Sequence, residues 1–348
     1  MAIPNGPEGI TPAWLREHVG FDVTSVEVVE IGAGIGVSSA VYRASLTGEN
    51  VPDSVVVKLI AKDPAAAFTS AVLKFYRREV QFYDKLADEA PVRTPHGYFG
   101  EVTDDDADVV IVMEDLIGNR IVDQTQKVSM DDAHRVVDAI ADWHAHWWNR
   151  TEGLCEARMA VALSDPIYPA MLPGLFEEGW AKLNASADCV PHDRLQPIGE
   201  RWSKVVGELL QQLSTGSMTM LHGDVRADNI MFSDEDEPIF MDFQILGVGS
   251  AAYDIAYFIT QSLDVTAGEE RALFDQWTAR LEANGVPHDD LAVLWEQYRV
   301  AALFCLVYPV VAARGMDLDD AREAALANAM LHRFERAEVD LDLVSILP

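Results

Sequence analysis

Leu221 to Phe232 read L-H-G-D-V-R-A-D-N-I-M-F. His222, Asp224 and Asn229 stand at the spacing H-x-D-x-x-x-x-N, which suits phosphoryl transfer. An Asp there accepts the proton of an attacking hydroxyl, and an Asn offers a neutral oxygen to a magnesium ion that already carries phosphate charge. A polar loop ahead of a hairpin would have the same composition, so the stretch needs corroboration. It comes from M-D-F-Q, whose Asp242 lies thirteen residues after Asn229. The runs I-M-F, S-D-E-D-E-P and I-F-M-D-F predict a β-hairpin that returns the chain, so that Asn229 and Asp242 converge on one metal. A carboxylate at Asp242 suits a magnesium ion bridging β- and γ-phosphates; the plainer alternative is a strand-terminal Asp.

Lys58 lies in V-V-V-K-L-I, and a Lys inside an apolar strand is costly unless its charge is paired. Glu79, in Y-R-R-E-V-Q-F-Y on the following predicted helix, is the natural partner. A strand Lys held by a helix Glu can reach α- and β-phosphates. A Lys snorkelling from an edge strand and an exposed helix Glu are the alternatives. Between the first two predicted strands, I-G-A-G-I-G-V-S-S-A-V-Y places Gly32, Gly34 and Gly36 where backbone N–H groups can approach phosphate closely. The spacing G-x-G-x-G fits neither a Walker A loop nor a dinucleotide-binding turn, because a strand follows it. A glycine hairpin turn is equally consistent. Ser38 and Ser39 could add hydroxyl donors or be plain strand positions.

These residues need elements to hold them. Before Glu114 the pattern is strand-rich, with runs at 26–31, 37–46 and 54–61, a helix over 70–86, and a hairpin of 97–102 with 108–113 across D-D-D-A. After M-E-D-L-I-G-N it turns helical. Ser129 is a good N-cap for A-H-R-V-V-D-A-I-A-D-W-H-A-H-W-W. Further helices are expected over 197–213, 267–283, 290–312 and 319–337. The expectation is an α+β chain with a small antiparallel-sheet lobe carrying one helix (1–113), a hinge (114–119) and a larger, mainly helical lobe (120–348).

The totals narrow the function. The 348 residues carry a formal net charge of −31, which argues against a nucleic-acid partner. The acidity fits a solubilising surface or a pocket for a cationic substrate. Three widely spaced cysteines suggest neither a disulfide framework nor a zinc site and fit a reducing, cytoplasmic setting. The first residues, M-A-I-P-N-G-P-E-G-I, do not read as a signal peptide. The apolar run 300–313 contains Pro309 and reads as a buried helix, so no membrane partner is expected.

Taken in order, glycine loop, strand Lys, helix Glu, H-G-D…N and D-F-Q, the chain resembles the aminoglycoside phosphotransferase and choline kinase superfamily, over roughly residues 25–335. H-G-D and D-F-Q, and no A-P-E segment after Asp242, point away from protein kinases. F-Y-R-R-E-V-Q-F-Y-D-K-L-A, W-H-A-H-W-W and D-F-Q-I-L-G-V-G-S-A-A-Y-D-I-A-Y-F-I most resemble its ecdysteroid-kinase-like branch. The resemblance implies a two-lobed protein-kinase-like fold and an ATP- and magnesium-dependent O-phosphotransferase. Asp224 would be the base, Asn229 and Asp242 the magnesium ligands, and Lys58 with Glu79 the phosphate-positioning pair. Gly34 and Ser38 would cover the phosphates, and Glu114 to Leu116 would line the adenine site through backbone groups. Asp254 would brace the catalytic loop, or serve only as a carboxylate at a helix N-terminus, and His222 would be structural. Arg226 and Asp228 depart from the pattern and read as solvated charges, or as charges that pair with each other or with a neighbouring group. Phe176, Trp180, Tyr298 and Tyr308 could wall an apolar pocket for a small-molecule alcohol, or be ordinary core aromatics. An antibiotic or choline-type kinase gripping a cation, and a nucleotide-binding module without catalysis, are the alternatives. The chain is expected to act as a monomer or homodimer.

Overall fold

The computed structural model describes residues 3–31, 39–122 and 128–348. Gly32, Gly34, Gly36 and Ser38 lie outside the described residues. The chain divides into two compact units, Met1–Asn119 with Ile239–Ile245, and Arg120–Pro238 with Leu246–Pro348. The short return of 239–245 to the first unit is absent from the contiguous lobes expected from sequence.

In the first unit, the short helix α1 (Pro12–Trp14) precedes five strands: β1 (Val23–Ile31), β2 (Ser39–Gly48), β3 (Ser54–Ile60), β4 (Gly97–Val102) and β5 (Val109–Glu114). They form one sheet in the order β1-β2-β3-β5-β4, and every neighbouring pair is antiparallel. Side chains alternate between the faces of a strand. Val55, Val57 and Leu59 therefore join Tyr42, Ala44, Val110 and Val112 in one core. Val56 and Ile60 turn to the other face, where Tyr76, Val80, Ile111 and Met113 pack. Lys58 shares that second face. Because β3 is central, Lys58 is no edge-strand lysine.

The helix expected over 70–86 is two helices, α2 (Pro64–Val72) and α3 (Phe75–Lys85). The break is at Lys74, whose φ of 61° is left-handed. Asp106, fully buried in the turn between β4 and β5, accepts from Lys74 Nζ at 2.7 Å and Arg77 Nε at 2.8 Å. That contact spans about thirty residues of sequence, so helical periodicity gave no sign of it. The segment 239–245 is tied to the connection ahead of β4 by an isolated parallel bridge between Ile239 and Arg93.

The second unit contains β6 (Arg120–Ile121), α4 (Met130–Trp147), β7 (Val161–Ala162), α5 (Ile167–Ala185), α6 (Gln196–Gln212), β8 (Thr219–Leu221) and β9 (Ile230–Phe232). The strand β10 (Pro238–Phe240) leads out of it, and β11 (Gly247–Gly249) re-enters. The helices α7 (Ala252–Ser262), α8 (Ala267–Ala283), α9 (His288–Leu291), α10 (Leu294–Phe304), α11 (Val307–Gly315) and α12 (Ala321–Leu341) complete it. Ser129 caps α4, its side chain accepting from Asp132 N–H. Thr266 and Glu269 form a reciprocal capping box on α8. Trp202, Phe176, Phe258, Trp277 and Phe334 fill the core. Helices α5 and α6 approach closely because Gly199 lies beneath the Trp180 ring; a Cβ there would meet it at 2.0 Å. His288–Gly315 is long and apolar enough to cross a membrane, but it is broken into α9, α10 and α11 and half of it is buried. Short strands β7, β11 and β8 form a three-stranded sheet that flanks the stretch 222–229.

Candidate active site

Lys58 is where the first unit concentrates charge. Its ammonium lies 2.6 Å from Glu79 Oε1 and 3.2 Å from Asp242 Oδ1. Strand alternation turns Lys58 toward α3, and Glu79 is on the buried side of that helix. Burial pushes the Glu79 carboxyl up to about 6, against the lowering effect of Lys58 and with the charge of Asp242 adding to it. Burial also works against the Lys58 ammonium, but Asp242 and Glu79 more than offset it and hold its pKa above the usual lysine range.

Asp242 is fixed from its own segment as well. Its φ of 67° is left-handed, a conformation that Asp tolerates better than most residues. Gln244 Nε2 donates to Asp242 Oδ2 at 3.3 Å. Arg78, one residue before Glu79, donates to the Gln244 carbonyl at 2.8 Å. Phe243 stacks on Phe82 of α3 with centroids 3.6 Å apart. So α3 holds both the Lys58 partner and the segment bearing Asp242. In the same unit, the Glu114 amide donates to the His96 carbonyl, and the Leu116 carbonyl accepts from the Asn119 amide and side chain. The Glu114 carboxylate is tied to Arg93.

In the second unit, helix α7 holds the loop 222–229. Asp254, 1% exposed, accepts from His222 N–H at 2.8 Å and Gly223 N–H at 2.9 Å. Gly223 has φ 86°, a conformation that suits glycine there. The Tyr257 hydroxyl donates to Asp224 Oδ1 at 2.6 Å. The Ala227 amide donates to Ser262 Oγ at 3.0 Å. The Asp254 carboxylate is itself set by His144 of α4, whose Nε2 lies 3.1 Å from Oδ2. Trp277 Nε1–H donates to His144 Nδ1, which leaves the imidazole proton on Nε2, facing Asp254. His222 accepts the Asp224 amide at Nδ1.

Asn229 donates its Nδ2 to the Asp224 carbonyl at 3.0 Å, so its Oδ1 is the end left to act as an acceptor. Of the two readings of Arg226 and Asp228, the structure shows the paired one. Arg226 Nε lies 3.4 Å from Asp224 Oδ1 and its Nη1 3.9 Å from Asp228 Oδ2, and the intervening loop is compact enough to keep all three charges together. Among the described residues, no group of three or more His, Cys, Asp and Glu side chains could hold a metal alone.

The ecdysteroid kinase-like family model matches residues 34–282. The chain belongs to the ecdysteroid kinase-like family. It is accordingly an enzyme of the small-molecule kinase class, acting on hydroxyl groups. No curated protein matched the chain. Solved structures share its fold at low identity. Ethanolamine kinase from Plasmodium vivax is 11% identical, with 95% of this chain and 88% of that one covered and a TM-score of 0.58. Choline kinase from Cryptosporidium parvum is 12% identical, covering 97% and 95%, also at 0.58. A macrolide 2′-phosphotransferase from Brachybacterium faecium is 17% identical, covering 91% and 96%, at 0.51. The fold of this ecdysteroid kinase-like chain is thus the two-lobed, protein-kinase-like α+β fold.

Of the four aromatic residues expected around an acceptor, only two present surface in this ecdysteroid kinase-like chain. Phe176 is sealed against Trp202, with ring centroids 4.4 Å apart. Tyr298 is fully buried and gives its hydroxyl to Glu270, which also pairs with Arg336. Both belong to the core. Trp180 is half-buried, and Tyr308 is half-buried and stacked on Tyr257 at 3.7 Å. Tyr257, Ser262 and His144 were not found by motif. Asp254, Tyr257, Gln261 and Ser262 fall on one side of a helix by their spacing, and that was the available signal.

Proposed function

We propose that this chain is an ATP- and magnesium-dependent O-phosphotransferase that phosphorylates a hydroxyl of a small organic molecule. The observation that carries the reading is Lys58, held by Glu79 at 2.6 Å and Asp242 at 3.2 Å. A buried cation shared between a helix carboxylate and the D-F-Q carboxylate is the arrangement that grips nucleotide phosphates in kinases. Asp242 and Asn229 are the residues that would hold magnesium, which when bound would neutralise charge on the phosphates.

Asp224 takes the acceptor proton. The acceptor oxygen forms its bond to the γ-phosphorus as the bond to the ADP oxygen breaks, and the proton passes to the Asp224 carboxylate. With Oδ1 held by Tyr257, Oδ2 is the oxygen available for that proton. Glu114 to Leu116 line the adenine, with backbone groups bonding the base. Trp180 and Tyr308 are the aromatic residues we retain as acceptor contacts. Positioning and electrostatics supply most of the rate, since little covalent chemistry falls to the protein.

The test is ATP-dependent phosphorylation of a pooled panel of steroids, macrolides, aminoglycosides, amino alcohols and sugars, read by mass spectrometry beside Asp224→Asn. A phosphorylated product absent from the Asp224→Asn reaction is expected. Magnesium-dependent ATP binding with no transfer to any alcohol or to water would sink the enzymatic reading in favour of a nucleotide-binding module.

A further inference from the structure

We infer that Tyr257 is a positioning residue for Asp224, fixing which carboxylate oxygen receives the proton. The inference rests on the proposed role of Asp224 as base. Tyr257 is 3% exposed and lies on α7 three residues after Asp254. The loop is therefore held by one helix at successive points. Asp254 holds the amides of His222 and Gly223, Tyr257 holds the Asp224 carboxylate, and Ser262 holds the Ala227 amide. Three of these four bonds act on backbone and one acts on the reacting side chain.

Tyr257 is built to donate. Burial, with the Asp224 charge beside it, pushes its hydroxyl pKa well above the ordinary tyrosine value, so the phenol keeps its proton. Its ring is stacked on Tyr308 at an interplanar angle of 4°, and the Tyr308 hydroxyl is bonded to that of Tyr253. The stack fixes the ring plane, the ring fixes the hydroxyl, and the 2.6 Å bond fixes the Asp224 rotamer. Arg226 approaches the same oxygen, at 3.4 Å. The Tyr257 hydrogen bond and the Arg226 charge both act on Oδ1, and the carboxylate turns its other oxygen to the acceptor. A free carboxylate would rotate about its last bond and present either oxygen, wasting encounters.

The experiment measures hydrolysis of magnesium–ATP with water as the acceptor, for the wild type, Tyr257→Phe, Asp224→Asn and the double variant. Tyr257→Phe keeps the ring and its stack and deletes only the hydroxyl. Its kcat is expected to fall roughly 10- to 100-fold, the scale of lost alignment at a reacting centre, with KM for ATP changed less than about twofold because uniform binding is untouched. Adding Tyr257→Phe to Asp224→Asn is expected to cost little more, since the two act as a unit. Thr260→Val, on the same helix but with its hydroxyl given to the Ala256 carbonyl, is the structural control and keeps its rate within about twofold, as a change outside the unit should. A Tyr257→Phe kcat near wild type, a change in KM alone, or losses that multiply in the double variant would each overturn the inference. If Asp224→Asn hydrolyses ATP normally, the base assignment fails first. If Asp224→Asn is inactive and Tyr257→Phe is normal, only the role of Tyr257 falls.

Discussion

The first unit holds its functional side chains by ion pairs, and the second mainly by uncharged donors bonded to carboxylates and to backbone. Around Lys58, one cation and two carboxylates settle one another, and removing any one leaves a buried charge exposed to the cost of desolvation. Around Asp224, a phenol, a serine hydroxyl and backbone amides do the work, and the one buried acid among the supports, Asp254, is fully used as an acceptor. A charge cluster is tuned by protonation and ions. A hydrogen-bonded loop is tuned by geometry. The contrast teaches that pH should act on the nucleotide side of the chemistry and substitution of hydroxyls on the acceptor side.

The strongest challenge to that division is Asp224→Asn. It is expected to lower transfer by about 10²–10⁴, the scale of losing a general base, with ATP affinity kept when measured by calorimetry. Lys58→Met strikes the other region. It leaves Glu79 and Asp242 together without their cation, and should cost about 3–5 kcal/mol of stability in urea unfolding, as breaking a buried pair does. Asp254→Ala strips the acceptor from two amides and from His144. With each buried donor left unpaired costing about 1–3 kcal/mol, unfolding should show a loss of roughly 3 kcal/mol, and turnover should fall with it. A loss near zero would show that water takes the place of Asp254.

The smallest effect sharpens the comparison most. Glu79 has its carboxyl pushed up to about 6, chiefly by burial. As pH falls through that value the carboxylate takes a proton and Lys58 loses its closest partner. The kcat/KM for ATP should therefore decline on the acid side with a limb near pH 6 and recover as pH rises. In Glu79→Gln this limb should vanish, leaving a lower, flatter profile. An unchanged limb in that variant would place the titrating group elsewhere.

What the sequence made legible follows the same division. Lys58 and Glu79 were found because period-2 alternation and an adjacent helix make an apolar-strand lysine ask for a partner. Asp224, Asn229 and Asp242 stood out by spacing. The supports were invisible for a physical reason, since Tyr257 reaches Asp224 across 33 residues and His144 reaches Asp254 across 110, and contacts of that kind leave no local pattern. The divided helix at Lys74 was missed likewise, its cause being Asp106. For the aromatic residues the sequence left a pocket wall and an ordinary core both open. Phe176 and Tyr298 had the composition of a pocket wall and the burial of a core, which composition alone does not separate.

The attachment of residues 222, 223, 224 and 227 to a single wholly buried helix has a consequence for how this protein wears out. The loop should not melt ahead of that helix, because four of the bonds that shape it end on α7, and α7 is buried along its whole length. Heat inactivation and loss of helical signal should then follow one curve, and cooling should restore both together. In this unit the shape of the loop and the integrity of α7 are then one property, and a copy that keeps the helix keeps the loop.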